Sequence, residues 1–263
     1  MSGVIEAKTC PSSTAEVTGS PPPFFQPNVC EKAASSWRFD VTPYMWALNM
    51  NGRTKIANQT VDVSQSFSDI LRQLNGAGML WLDAYYDDRL GIFLNSLYAV
   101  LENKETMDGL DVSERNKFGL FSAGVSYKVF SKAWGTSRES NRLDIEPYVG
   151  ARYTLNDTKV TVGSVSASEN QSWTDPLIGV RFSYLINPRW SLVLGGNVGG
   201  TNMSTDTSYE LTGLVGYHPA SYATVYLGYH DLYQKYSTGQ GLNEFDWQMR
   251  IFGPVLGVAF RFN

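Results

Sequence analysis

The chain has 263 residues, 43% of them hydrophobic and 13% aromatic, and its 21 basic and 25 acidic residues give a formal charge of −4. That balance, with no basic cluster, lacks the electrostatic footprint of a nucleic-acid binder. Asp, Arg, Asn, Ser or Gly interrupts every apolar run before it reaches the roughly 18 residues of a membrane-spanning helix, so a helical membrane protein is excluded too.

Residues 1–36 are rich in Ser, Pro, Thr and Ala, and the run Pro21-Pro-Pro23 favours extended polyproline over helix or sheet. This stretch reads as a disordered periplasmic tail. It holds both cysteines, Cys10 and Cys30, whose spacing allows a disulfide-closed loop in an oxidising compartment or two unpaired thiols. Met1 to Lys8 is short and polar, without the apolar core of a signal peptide, so the chain reads as a mature form or a mis-started reading frame.

From Trp37 to Asn263 extended segments recur with turn signals between them. About ten are expected, each near the roughly 9–11 residues that a tilted strand needs to cross a bilayer. The first, from Trp37 to Met50, sets Phe39, Val41 and Met45 against Arg38, Asp40 and Thr42. The loop that follows contains Ser66 as a helix cap, then Phe67, Ile70, Leu71 and Leu74 on one helical face, and a short helix there could cover or plug the external mouth. Strands over Met79–Tyr86 and Leu90–Leu101 flank the tight turn Asp87-Asp88-Arg89.

The next strand, Phe118 to Phe130, opposes Phe121, Ala123 and Val125 to Ser122, Gly124, Ser126 and Lys128. Residues 131–141 form a longer connection than a tight turn needs. Leu143 to Tyr153 opposes Ile145, Val149 and Ala151 to Asp144, Glu146 and Arg152. Beyond it, Ile178, Val180 and Phe182 alternate with Asp175, Gly179 and Arg181; turns at Asn187-Pro188 and His218-Pro219 separate three more strands carrying Glu210 and His230. The last strand puts Leu256, Val258, Phe260 and Phe262 on one face and Gly257, Ala259 and Arg261 on the other.

Period-two alternation, 15 Tyr, 13 Phe and 7 Trp gathered near strand ends, and short turns alternating with long loops predict an all-β fold. It is a single antiparallel up-and-down transmembrane β-barrel with lipid outside and a polar interior. A soluble cup of the lipocalin kind would instead hide its apolar stripes inside.

The segments Val41-Thr-Pro-Tyr-Met-Trp46, Val61-Asp-Val-Ser64, Phe67-Ser-Asp-Ile-Leu71, Gly150-Ala-Arg-Tyr153, Asp175-Pro-Leu-Ile-Gly-Val-Arg181, Gly228-Tyr-His230 and Gly253-Pro-Val-Leu-Gly257 together resemble a widespread, largely uncharacterised family of Gram-negative outer-membrane β-barrel proteins. The likeness covers nearly everything after Trp37. It implies export, insertion by the barrel-assembly machinery, an address in outer-membrane lipid, and no particular activity. The chain departs from the family pattern in ending on Asn263 instead of an aromatic, and in carrying His230 where such proteins have Arg.

The inward set predicts a lumen charge network of Arg38, Asp40, Asp83, Lys128, Asp144, Glu146, Arg152, Asp175, Arg181, Glu210, His230 and Arg261, which must pair in a narrow barrel because an unpaired buried charge is costly. An enzyme would need a histidine set against a carboxylate or serine near the external rim. Only His218 and His230 exist, the first in a short turn and the second followed by an outward Asp231, so no catalytic residues, cofactor or metal ligands are assigned. The expected role is non-enzymatic: structural, or a narrow passage for small solutes. The alternatives are surface interaction through the external loops and, third, hydrolysis of lipid or peptide.

Overall fold

A computed structural model of the chain describes residues 36–56, 59–107, 110–134, 141–162, 165–201, 205–241 and 244–262. The cysteines and nearly all of the N-terminal tail lie outside these. The described residues form strands β1 (Trp37–Trp46), β2 (Asn49–Ile56), β3 (Gln59–Gln65), β4 (Leu74–Tyr86), β5 (Leu90–Met107), β6 (Leu110–Tyr127), β7 (Phe130–Trp134), β8 (Asn141–Val162), β9 (Val165–Asn187), β10 (Trp190–Thr201), β11 (Thr205–Ala220), β12 (Ala223–Thr238) and β13 (Phe245–Phe262), with one helix, α1 (Phe67–Gln73).

Ten of these make the wall. Each neighbouring pair runs antiparallel in the order β1-β4-β5-β6-β8-β9-β10-β11-β12-β13, and β13 pairs back onto β1 to close the cylinder. β1 and β2 are one strand interrupted at Ala47–Leu48: Trp46 faces Val255 and Asn49 faces Phe252 in the same register, with the Ala47 N–H donated to the Pro254 carbonyl across the break at 2.9 Å. β7 pairs antiparallel with the start of β8, from Phe130↔Ile145 to Trp134↔Asn141, so the described ends of the long 131–141 connection continue the ladder.

Alternation is what lipid on one side and a filled lumen on the other impose. Ile92, Val125, Val149, Ile178, Leu194, Leu227 and Leu256 stand exposed on the outer surface. Trp37, Tyr86, Tyr127, Trp190, Tyr217 and Phe262 ring that belt at the short-turn end, and Tyr153, Tyr209 and Tyr229 ring it at the other. From Tyr209 to Tyr217 a strand crosses the belt in nine residues, within the roughly 9–11 that a tilted strand requires.

The short turns use local chemistry. Asp87 and Asp88 both take φ of 52°, the left-handed region that aspartate tolerates better than most residues. The Asn187 side chain accepts from the N–H groups of Arg189 and Trp190 at 2.8 and 3.0 Å, an Asx turn.

Two features depart from the sequence-based expectation. The long loops expected between the strands are, over 51–76, 102–116 and 155–171, largely β-ladder in their described residues: β5 and β6 stay paired to Met107↔Leu110, and β8 and β9 to Val162↔Val165. Continuing the ladder satisfies backbone groups that a loop would leave to water. The wall is also incompletely zipped. β1 pairs β4 only from Trp37↔Tyr86 to Pro43↔Leu80, β3 pairs only β2, and among the described residues no ladder joins β3 to the upper half of β4. Beside this seam the Trp46 N–H meets the Met79 sulfur at 3.1 Å, joining β1 to β4, and Asn49 of β2 accepts from the Phe67 N–H of the helix at 2.9 Å while donating to the Phe252 carbonyl of β13 at 3.2 Å.

Helix α1 sits beside this seam, started by a capping box between Ser66 and Asp69. Hydrogen bonds from the Ser66 side chain and backbone hold the exposed Asp69 carboxyl below its usual range. Ile70 is buried among lumen side chains, and Leu74, already the first residue of β4, packs against the same cluster. Phe67 is half-buried, but Leu71, expected on the same face, is 54% exposed. At 100° per residue it turns away from Ile70 once the helix is fixed by that neighbour.

Candidate functional site

The lumen has two storeys. Toward the long-hairpin end it is filled by Trp46, Leu97, Leu101, Phe118, Leu120, Trp173, Leu232, Trp247, Met249 and Ile251, all buried in one cluster with Ile70. The Trp173 and Tyr236 rings stack at 4.5 Å, and Trp247 lies 6.0 Å from Trp173. Toward the short-turn end lies a polar cup of about 310 Å³. Its walls carry five cations, Arg38, Lys128, Arg142, Arg181 and Arg261, and five carboxylates, Asp40, Asp83, Asp144, Glu146 and Glu210.

These charges form tiers. At the cup's mouth Asp88 accepts from Lys128 Nζ at 2.9 Å, from Arg142 Nη2 at 2.6 Å and from Arg38. Burial alone would raise the Asp88 carboxyl; the hydrogen bonds from Arg142 and Lys128, with the charge of Arg38, outweigh it and hold the group well below the usual carboxylate range. Arg142 also donates to Asp144 at 2.8 Å, and Arg261 donates to Asp40 at 2.8 Å, with Arg38 Nε 3.3 Å from the other Asp40 oxygen.

One tier up, Arg181 Nη1 donates to Asp83 and to the Tyr85 hydroxyl, both at 3.1 Å, and that hydroxyl donates to Glu146 at 3.1 Å. Arg38 and Lys128 lie over the Tyr85 ring at 4.3 and 4.6 Å, cation–π contacts inside the cup.

The floor beneath the apolar storey is the most buried tier. Arg152 donates to Glu210, to Asn197 Oδ1 at 3.1 Å and to Ser122 Oγ at 3.3 Å; Asn197 in turn donates to Glu210 at 2.8 Å. His230 Nε2 lies 2.7 Å from Glu210 Oε1, and its ring stacks on Trp46 with centroids 4.2 Å apart at 10°. Higher up, within the apolar storey and level with Met249 and Trp173, Gln234 donates to Thr154 at 2.9 Å and to Asp175 at 3.2 Å.

All twelve charges expected in the lumen therefore point inward. The sequence reading missed Asp88, taken only as a turn residue, and Arg142, which fell between the 131–141 connection and the strand from Leu143, together with Tyr85, Asn197 and Gln234. Parity would have found four of them: Arg142 shares the phase of Asp144 and Glu146, Tyr85 that of Asp83, and Gln234 that of His230, while Asn197 lies opposite Glu210 and Gly179.

His218 faces hydroxyls, Thr224 Oγ1 at 2.8 Å from Nδ1 and Ser191 Oγ at 3.0 Å from Nε2. Among the described residues both ring nitrogens meet hydroxyls and no carboxylate, so the serine–histidine contact shown has no group that would orient and stabilise an imidazolium. Among the described residues no three His, Cys, Asp or Glu side chains converge as a metal ion would require.

No protein-family model matches the chain, and no curated protein matches it. Among solved structures it is similar to the outer-membrane protease OmpT of Escherichia coli, at 10% identity and a TM-score of 0.47, covering 87% of this chain and 98% of that one. It is also similar to Ail, the attachment invasion locus protein of Yersinia pestis, at 12% identity and a TM-score of 0.36 over 86% and 98% of the two chains. Neisserial surface protein A matches at 14% identity and a TM-score of 0.33 over 87% and 98%. All three are β-barrel proteins of Gram-negative outer membranes.

Proposed function

We propose that this chain is a non-enzymatic barrel of the bacterial outer membrane, inserted with its termini and short turns toward the periplasm, that keeps its lumen shut and works through the hairpins of its long end as a surface-interaction platform. The apolar belt between two aromatic rings supports the membrane address, because only a lipid exterior rewards it. Short turns at one end and long hairpins at the other support the orientation.

The observation that carries the closed reading is the apolar storey. Side chains such as Leu97, Met249 and Ile251 are essentially without solvent exposure, and a water path through them would have to displace packed hydrocarbon. The platform follows from the ladder: beyond Leu155↔Ser172 the β8–β9 pairing continues to Val162↔Val165, a rigid extension of about 23 Å along the strand. Restricted passage of small polar solutes is a second reading, favoured by the cup alone.

Purified protein in planar bilayers is expected to be electrically silent. Cutting back the filling, as in Trp46→Ala with Met249→Ala, should introduce conductance. Discrete current steps from the unmodified protein would overturn the closed reading and restore the passage one.

A further inference from the structure

We propose that the outer face of β5, β6 and β8, just beyond the apolar belt, is a binding site for a phosphorylated lipid headgroup, with Arg115 and Lys159 as its anion-binding pair. The proposal rests on the membrane address and orientation given above.

Register fixes the geometry. Leu97, Leu101, Phe118, Leu120 and Thr154 are buried in the lumen, so the intervening residues face lipid. The belt closes on this side with Phe121 beside Tyr153, ring centroids 6.5 Å apart, and then Tyr98 and Leu155 flanking Gly119. The next outward rows are charged. Lys117 stands opposite Asp157 and pairs with it at 3.0 Å; one row further Arg115 stands between Glu102 and Lys159, with Lys104 on the row beyond.

For strands tilted by about 40° those first two rows lie about 5 and 10 Å past the belt along the membrane normal, the depth of headgroup phosphates.

Charge then points to the ligand. Glu102 reaches Arg115 at 3.3 Å, but Lys159 lies directly opposite Arg115 in the ladder and is exposed. Like charges in that position repel unless an anion joins them. On these rows four cations, Lys104, Arg115, Lys117 and Lys159, face two carboxylates, Glu102 and Asp157, a local excess on a chain whose total is negative.

The opposite side of the barrel is compensated. There Arg250 grips Asp231 with two hydrogen bonds at 2.9 and 2.6 Å, Lys55 pairs with Glu244 at 2.8 Å, and Arg53 stands opposite Asp62. A guanidinium fork beside an ammonium suits a phosphate, which can take two parallel N–H donors and a point charge together.

The test uses the folded full chain in a zwitterionic detergent, with diphosphorylated lipid A, the same lipid stripped of phosphate, and inorganic phosphate as probes. Diphosphorylated lipid A should bind at least about tenfold more tightly to the native chain than to Arg115→Gln/Lys159→Gln, a loss typical of one charge-assisted contact. Arg250→Gln should bind like the native chain, and the stripped lipid should bind no better than the double variant does.

Equal binding by the native chain and the double variant would overturn the site. Inorganic phosphate displacing the lipid at equal concentration would overturn the lipid assignment in favour of a free anion. Heat-modifiable gel mobility verifies that each variant is folded, with Lys159→Gln alone as the milder change. Protease access to the long hairpins on intact cells reports separately on the membrane address and orientation, so the two failures are distinguishable.

Discussion

At the scale of single residues the lumen is an exercise in neutralising buried charge. Arg152 is 1% exposed and has Glu210 as its counter-ion. Removing one member strands the other in a dry interior, whereas removing both leaves mainly a void. Arg152→Ala should therefore cost about 3–5 kcal/mol, and adding Glu210→Ala should recover part of that loss in urea unfolding followed by tryptophan fluorescence. Strict additivity of the two changes would refute the pairing.

Asp88 behaves differently because it is partly exposed, so Asp88→Asn should cost only about 1–2 kcal/mol at neutral pH. Its folded carboxyl is held below the unfolded value, so the contribution is complete above about pH 4 and fades as pH falls through the folded value. The gap between native chain and variant should accordingly shrink in unfolding curves recorded at pH 3. A constant gap from pH 7 to pH 3 would argue against this ion cluster.

Individual elements were legible to the extent that lipid and lumen impose opposite demands on alternate residues. In β11, Tyr209, Leu211, Val215 and Tyr217 against Glu210 and Thr212 could be read directly. The upper part of β8, Asn156-Asp-Thr-Lys-Val-Thr-Val162, could not, because above the belt both faces meet water and the period vanishes. The apolar storey escaped for a related reason: Trp247, Met249 and Ile251 keep the inward parity of the closing strand but lie above the stretch recognised as strand, and a polar interior was expected there.

Helix α1 was legible from its cap, although Leu71 turns outward and Leu74 already begins β4. Its capping box makes a local prediction: Ser66→Ala should weaken the helix by about 1 kcal/mol, raising amide exchange across Phe67–Gln73 while the global unfolding midpoint barely moves. A large fall in that midpoint would mean that the helix is integral to barrel closure.

On the scale of the whole molecule, β12 and β13 share sixteen register pairs from Ala223↔Phe260 to Thr238↔Phe245, whereas β1 and β4 share seven. Ladder amides exchange only when their strands part, so deuterium uptake in detergent should be fastest within Asn75–Met79, on the unzipped edge of β4, and slowest along β12 and β13. Uniform protection of β4 from end to end would mean that its edge is paired in solution.

That unjoined edge also sets how the cylinder deforms. Below Pro43 and Leu80 every strand is laced to two neighbours, a continuous hoop that resists widening in all directions. Above them the hoop becomes a split collar: among the described residues no ladder joins its lips, β3 and β4, and the contacts beside the slit run from β1 to β4 through the Met79 sulfur and from β2 to the helix and β13 through Asn49. Flaring the collar tears no ladder bond, so the molecule is stiff at its root and compliant at its rim, and sideways pressure from the bilayer is absorbed along that line first.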